Sequence, residues 1–263
     1  MGQNFLADPN TAAMIVEKGR FTKHDTVVEI GAGLGALTIP LASRTKHVYA
    51  VEPDREIAAL LKNELLAANV SNVSVVEKDI LRCDLAALIA TAGCSVKVAG
   101  NLPYHISSPV LLLLFRFRRS IDSAVLMFQK ELAERLVAKP GTKTYGRLSV
   151  LIQYCASVRS IAQVAATAFH PKPKVDSTVV HITFFDAPPF PVKDEAFLFG
   201  LVAAAFGQRR KMLKNALLNS NLGLTAPQLS SAFTETQIDP QRRAETLSVQ
   251  EFVQLSNALM RRN

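Results

Sequence analysis

Thr26-Val27-Val28-Glu29-Ile30-Gly31-Ala32-Gly33-Leu34-Gly35 decides the fold of this 263-residue chain. A short apolar run ends in three glycines at alternate positions, the order expected of a buried strand, a tight turn and a helix. Glycines let the backbone turn sharply and lie against a ligand, with the N-terminus of the following helix beneath it. Outward from this stretch the pattern repeats. His47–Val51, Val73–Val76, 96–99 and 124–128 read as further strands, and 55–68 reads as the clearest helix, with apolar residues at 57, 60, 61 and 65. Strands alternating with helices predict a parallel sheet covered on both faces. Residues 177–185 alternate around β-branched side chains with no crossover helix, which predicts an antiparallel strand. Asp186-Ala187-Pro188-Pro189-Phe190-Pro191 then breaks the pattern, and only helical periodicity follows, at 194–206, 209–219, 226–233 and 248–260. The division is an α/β domain over 1–186 and a small all-helical domain over 187–263.

Composition narrows the function classes. Apolar residues make up 49% of the chain, enough for a large core, and 20% charge excludes a disordered chain as the default. No apolar run approaches the roughly 18 residues of a membrane span, and the polar opening Met1-Gly2-Gln3-Asn4 does not resemble a signal peptide. Cys83, Cys94 and Cys155 form no C-x-x-C pair, which excludes a disulfide scaffold and a zinc ribbon and points to a reducing cytoplasm. The five histidines form no ligand cluster, so no metal is expected. The net charge of +8 is uneven: residues 97–175 hold 12 basic and 3 acidic side chains, whereas 1–96 hold 9 and 11. An excess confined to the middle of the chain suggests one surface that faces a polyanion.

The glycine loop carries the first chemistry. Glu52 lies at the end of the second strand, 21 residues after Gly31. A carboxylate there can accept hydrogen bonds from both ribose hydroxyls of a nucleoside. Gly31, Gly33 and Ala36 also satisfy G-x-G-x-x-G/A, so this loop alone admits NAD as well. Asp79, just past the third strand, stands where the base of such a cofactor would reach, although a solvated loop aspartate reads the same way. The more decisive motif is Asn101-Leu102-Pro103-Tyr104, after the fourth strand. It suits an aromatic amine, a poor nucleophile whose lone pair is delocalised into its ring. Two acceptors that hold both N–H bonds make that nitrogen more tetrahedral and aim its lone pair. The Asn101 side-chain oxygen is one acceptor. Pro103 biases Leu102 toward extended geometry, so the Leu102 carbonyl can be the other. Tyr104 offers a face on which a base can stack, worth about 1–3 kcal/mol.

At these residues the chain resembles the KsgA type of rRNA adenine dimethyltransferases, which are relatives of the Erm methylases. The resemblance runs over nearly the whole sequence. It includes Gly2-Gln3-Asn4-Phe5-Leu6, the glycine loop, Asn101 to Tyr104, Phe128-Gln129-Lys130-Glu131 and Tyr145-Gly146-Arg147-Leu148-Ser149. It continues through Ala168-Phe169-His170-Pro171-Lys172-Pro173-Lys174-Val175-Asp176-Ser177, Ala205-Phe206-Gly207-Gln208-Arg209-Arg210-Lys211 and Arg243-Ala244-Glu245-Thr246-Leu247-Ser248. Two departures stand out. Members usually carry a short basic leader before G-Q-N-F-L, where here Met1 precedes Gly2, and His105 replaces the Asn common in the family.

The resemblance implies a class I S-adenosylmethionine-dependent methyltransferase, with a Rossmann-like, mostly parallel sheet and a C-terminal helical RNA-binding domain. It implies S-adenosyl-L-methionine as cofactor and small-subunit (16S) rRNA, within an immature small ribosomal subunit, as partner. The reaction implied is direct in-line dimethylation of the 6-amino groups of two adjacent adenosines in the 3′-terminal hairpin, each flipped into the pocket. The family's cofactor contacts fall on Asn4, Leu6, Gly31, Gly33, Glu52, Asp79 and Asn101. Its catalytic positions fall on Asn101, Leu102, Pro103, Tyr104 and Phe169, with Phe169 covering the target base opposite Tyr104. Candidate phosphate contacts are Arg116, Arg118, Arg119, Lys130, Arg135, Lys139, Lys143 and Arg147, with a second cluster at Arg209, Arg210, Lys211 and Lys214. The expected protein is a cytoplasmic monomer with no membrane association. A large-subunit rRNA methylase, a mainly non-catalytic assembly factor, a DNA adenine methylase and an NAD-dependent oxidoreductase are the rival readings. The last gives no reason for Asn101 to Tyr104.

Overall fold

The computed structural model describes residues 4–260 and, at Tyr104, the backbone only. Gly2 and Gln3 of the opening motif lie outside the described residues. By internal contact density the chain forms two compact units, 1–133 with 157–184, and 134–156 with 185–263. The crossing at 184/185 falls beside the expected boundary at 186/187. The sequence reading did not foresee that 134–156 groups with the helical unit instead of the α/β unit.

The first unit is built on β1 (Phe5–Leu6), β2 (Thr26–Ile30), β3 (His47–Val51), β4 (Val73–Val76), β5 (Val96–Asn101), β6 (Ile121–Gln129), β7 (Ala156–Val164), β8 (Phe169–His170) and β9 (Ser177–Phe184). Its helices are α1 (Pro9–Lys18), α2 (Thr38–Arg44), α3 (Arg55–Ala67), α4 (Leu85–Ala92) and α5 (Ser107–Arg116). Seven strands form one sheet in the order β4-β3-β2-β5-β6-β9-β7. The pairings from β4 to β6 are parallel, and β9 joins β6 antiparallel, as its uncrossed connection predicts. All five residues of β2 are buried, as a parallel strand covered on both faces requires. Helix starts follow local chemistry. Asp8 and Asp54 accept backbone N–H bonds at the first turns of α1 and α3, satisfying donors that have no partner inside the helix.

Gly100 sets the spacing of the central pair. A Cβ there would stand 2.6 Å from the Ile30 carbonyl oxygen, so β2 and β5 approach as they do only because position 100 has no side chain. A separate two-stranded ribbon pairs β1 with β8, Phe5 opposite His170 and Leu6 opposite Phe169. Leu6 and Phe169 sink into a core with Ile15, Val16, Phe21 and Leu41.

The second unit holds α7 (Arg147–Cys155), α8 (Glu195–Gly207), α9 (Leu213–Leu218), α10 (Ala226–Thr236) and α11 (Val249–Leu259), and α6 (Lys130–Leu136) spans the division at 133/134. Helix α9 is shorter than the predicted 209–219. Gln208 to Arg210 form a turn, and Arg209 donates to the carbonyls of Lys143 and Tyr145 and pairs with Glu245. Among the described residues no helix is long and apolar enough to cross a membrane.

Candidate functional site

From β2 the sheet grows outward through β3 and β4, and the chain then returns to lay β5 on the other side of β2. Open α/β sheets bind ligands at the carboxyl ends of strands at such a reversal. A cavity of about 230 Å³ lies there, lined by Phe5, Leu6 and Ala7, by Glu29 and the glycine loop from Gly31, and by Asn101 and His170. Gly31 holds φ at +74°, which L side chains rarely adopt, and a Cβ on it would lie 3.5 Å from the Asn101 carbonyl. The two sequence motifs therefore meet within van der Waals contact. A Cβ on Gly33 would press at 3.2 Å on the Phe5 ring, so the opening strand lies over the loop.

Glu52 is buried, and its two oxygens accept the N–H groups of Gly33 (2.9 Å) and Asp54 (3.2 Å). In this state it ties the glycine loop to the end of β3, and each oxygen keeps a lone pair for a further donor. Asp79 is half-buried and caps the turn after β4 by accepting from Leu81 N–H at 3.0 Å. Asn4 immediately precedes the opening strand and Leu6 lies on it; the Asn4 carbonyl accepts from Asn101 Nδ2 at 3.1 Å and Leu6 lines the cavity. Asn101 is thus brought together with Gly31, Gly33 and Leu6. Glu52 and Asp79 stand outside the cavity wall.

Leu102 buries its side chain and donates its N–H to the Met127 carbonyl, and Pro103 is extended with φ −56° and ψ 137°. The Pro103 carbonyl accepts from Ile106 N–H and from the Ser107 hydroxyl, which locks the turn that carries Tyr104. The Tyr104 side chain lies outside the described residues. Phe169 departs from expectation. It is 5% exposed and packed in the core, because its pairing with Leu6 turns the ring inward, and it offers a base no face in this state. Its neighbour His170 reaches the cavity instead.

The sequence reading gave Glu29 no role. It is 1% exposed, it lines the cavity, and its Oε2 has no hydrogen-bond partner. Burial pushes its carboxyl up to about 8, the Glu52 carboxylate adds to that rise, and the nearby Thr38 hydroxyl opposes it. A carboxyl inside an otherwise apolar strand was the signal that could have found it. An unpaired buried carboxylate is costly unless a cation arrives to meet it. Among the described residues no three His, Cys, Asp or Glu are placed to hold a metal ion.

Of the basic candidates in the first unit, Arg116, Arg119 and Lys130 are exposed, whereas Arg118 is half-buried and donates to the Phe115 carbonyl. In the helical unit Arg135, Lys139, Lys143, Arg147, Arg210, Lys211 and Lys214 are exposed, and Arg209 is committed to internal bonds.

Residues 1–261 match the family model described as ribosomal RNA adenine dimethylase. The chain is similar to the protein named ribosomal RNA small subunit methyltransferase A of Desulforapulum autotrophicum, at 48% identity over 98% of this chain and 90% of that one. Its namesake from a Geobacillus species is 42% identical over the same shares. Among solved structures, a dimethyladenosine transferase from Plasmodium falciparum superposes with a TM-score of 0.82 at 26% identity, covering 95% of both chains. The 23S rRNA methyltransferase ErmE shares the fold, with a TM-score of 0.75 at 23% identity over 98% of this chain and all of that one.

Proposed function

This chain belongs to the ribosomal RNA adenine dimethylase family, and from that premise we propose that it transfers methyl groups from S-adenosylmethionine to small-subunit (16S) rRNA. The targets are the 6-amino nitrogens of two adjacent adenosines in the 3′-terminal hairpin, modified during small-subunit assembly in the cytoplasm by a monomeric enzyme. The observation that carries this reading is the meeting of the glycine loop and Asn101 in one cavity at the sheet's reversal point. The 42–48% identity to proteins named for the small subunit favours that RNA over the large-subunit alternative.

The residues present fit the cofactor. The unpaired Glu29 oxygen suits a cationic end, the cradle at Gly31 and Gly33 admits backbone-close approach, and Glu52 retains acceptor capacity for ribose hydroxyls. When bound, S-adenosylmethionine supplies an activated methyl group on a sulfonium. The chain's own part is orientation. The Asn101 oxygen and the Leu102 carbonyl accept the two N–H bonds of the flipped adenine, taking its lone pair out of conjugation with the ring and localising it on the nitrogen. Tyr104 stacks on the base. Phe169 joins it only by turning out of its core position. Alignment and fixed dipoles supply the rate, with no titrating base required. The exposed basic residues of the α/β unit and of the helical unit, the proposed RNA-binding domain, hold phosphates.

The test is methyl transfer from labelled cofactor to unmethylated small subunits, followed by mapping of the modified nucleosides. Two adjacent dimethyladenosines near the 3′ end are expected. Label in large-subunit RNA would move the assignment to the other subunit, and binding without transfer would make the protein an assembly factor.

A further inference from the structure

Among the described residues the Asn101 side chain makes one hydrogen bond, and its partner is main chain. Its Nδ2 donates to the Asn4 carbonyl at 3.1 Å. A carbonyl oxygen can only accept, so only the amino end of the Asn101 amide can face it; the reverse orientation would oppose two oxygens. The amide's other end, Oδ1, is thereby directed away from Asn4, and Asn101 lines the cavity. The Asn4 carbonyl is itself held in place. Phe5 and Leu6 follow immediately and pair with His170 and Phe169, and Ala7 N–H continues the ribbon to the Ala168 carbonyl at 2.8 Å.

We propose that the Asn4 carbonyl is a positioning group for methyl transfer, fixing the Asn101 amide so that its oxygen, and not its amino group, meets the target amine. The inference rests on the reading of Asn101 as an acceptor for that amine. An unrestrained amide would present the wrong end for part of the time, and an amino group facing an amine would repel its N–H bonds. The ribbon of the first and eighth strands removes that choice before substrate arrives, which is how a site made of weak dipoles becomes selective.

Asn101→Asp separates this role from a merely structural one. An ionised carboxylate sets an oxygen against the Asn4 carbonyl and has no proton to share. Once protonated, its O–H donates to that carbonyl and its other oxygen accepts, which restores the wild-type arrangement. Single-turnover transfer at saturating S-adenosylmethionine and unmethylated small subunits would be followed from pH 5.5 to 8.5 for both proteins. Glu29 and His170 line the same cavity and Glu52 lies beside Glu29; all three are present in both proteins, so the ratio of variant to wild type is read.

That ratio should rise about tenfold for each pH unit lowered while the introduced carboxyl is ionised, and then level off. A ratio independent of pH, whether near wild type or at background, overturns the inference. Asn101→Ala in the same assay keeps the underlying reading separate: wild-type turnover there would refute the acceptor role itself, whereas collapse in Asn101→Ala with a flat Asn101→Asp ratio would refute only the part played by Asn4. As a measurement on unaltered protein, hydrogen exchange of the Asn101 side-chain amide should be at least about tenfold slower than that of exposed asparagines. Equal rates also overturn the inference.

Discussion

Glu29→Gln tests whether the buried carboxyl is the charge centre of the cavity. The group is 1% exposed, and burial lifts its pKa from 4.5 to about 8. The sign follows from where the proton sits. Below pH 4.5 both folded and unfolded chains hold it, and above pH 8 both have lost it. Between those values the unfolded chain has ionised while the folded one has not, so rising pH favours unfolding. At 1.36 kcal/mol per unit, the distance from 4.5 to 7 corresponds to about 3 kcal/mol of lost stability in the wild type at neutral pH. Glutamine has the same shape and does not titrate. Thermal unfolding of both proteins from pH 5 to 9 should therefore show the variant's advantage growing through this window and levelling near pH 8, several degrees in melting temperature at its largest. Calorimetry should show the opposite trade in binding: wild-type affinity for S-adenosylmethionine improves as pH rises toward 8, whereas the variant binds more weakly and without that slope. A stability difference independent of pH, together with equal affinities, would refute the reasoning.

Gly100→Ala places a methyl group 2.6 Å from a backbone oxygen that cannot turn aside, so strands β2 and β5 must part. A loss of about 1–3 kcal/mol in unfolding free energy is expected, with transfer impaired because Asn101 is the next residue; unchanged melting would show that the strands yield freely. Glu52→Ala removes the acceptor of Gly33 N–H as well as the proposed ribose contact. S-adenosylmethionine affinity should fall by about 1.5–3 kcal/mol by calorimetry, and no change would place the nucleoside elsewhere. RNA affinity should fall steeply with added salt as phosphate counterions are released. Charge reversal at the exposed Arg116 and Arg119 should flatten that dependence, and an unaltered slope would assign them to ordinary solvated surface.

The first three strands of the parallel sheet were legible because each is a short run rich in β-branched and apolar residues bounded by turn signals, although only β2 is buried throughout. Thr26–Ile30, His47–Val51 and Val73–Val76 lie where the sequence places them. β7 was not legible, since it is a sheet-edge strand with half-exposed polar residues and no strict alternation. The two-residue strands β1 and β8 are too short for any period to register. The grouping of 134–156 with the helical unit is beyond the reach of helical periodicity, which identifies a helix and not its neighbours. In the cavity, the glycine loop and Asn101 come together as motifs read from the sequence, whereas Glu52 stands behind the loop and holds it through Gly33 N–H. Whether Phe169 faced a substrate or the core depended on its partner across a ribbon that joins distant parts of the chain, and it faces the core. Glu29 is hidden by the strand it belongs to, since a single carboxyl inside an apolar run does not disturb the strand pattern.

The pairing of Phe5 with His170 bears on when this protein becomes competent during its synthesis. Chains leave the ribosome N-terminus first, so the opening residues emerge at once and then wait, without a strand partner, while most of the α/β unit is made. The glycine loop and the β5 turn can form earlier, since their strands are nearer in sequence, yet the Asn4 carbonyl reaches its station over Asn101 only when residues near 170 are free. Closure over so long a separation is also among the slower steps of folding. A nascent or truncated chain ending before that point would carry every motif up to the β5 turn and still lack an aligned amide.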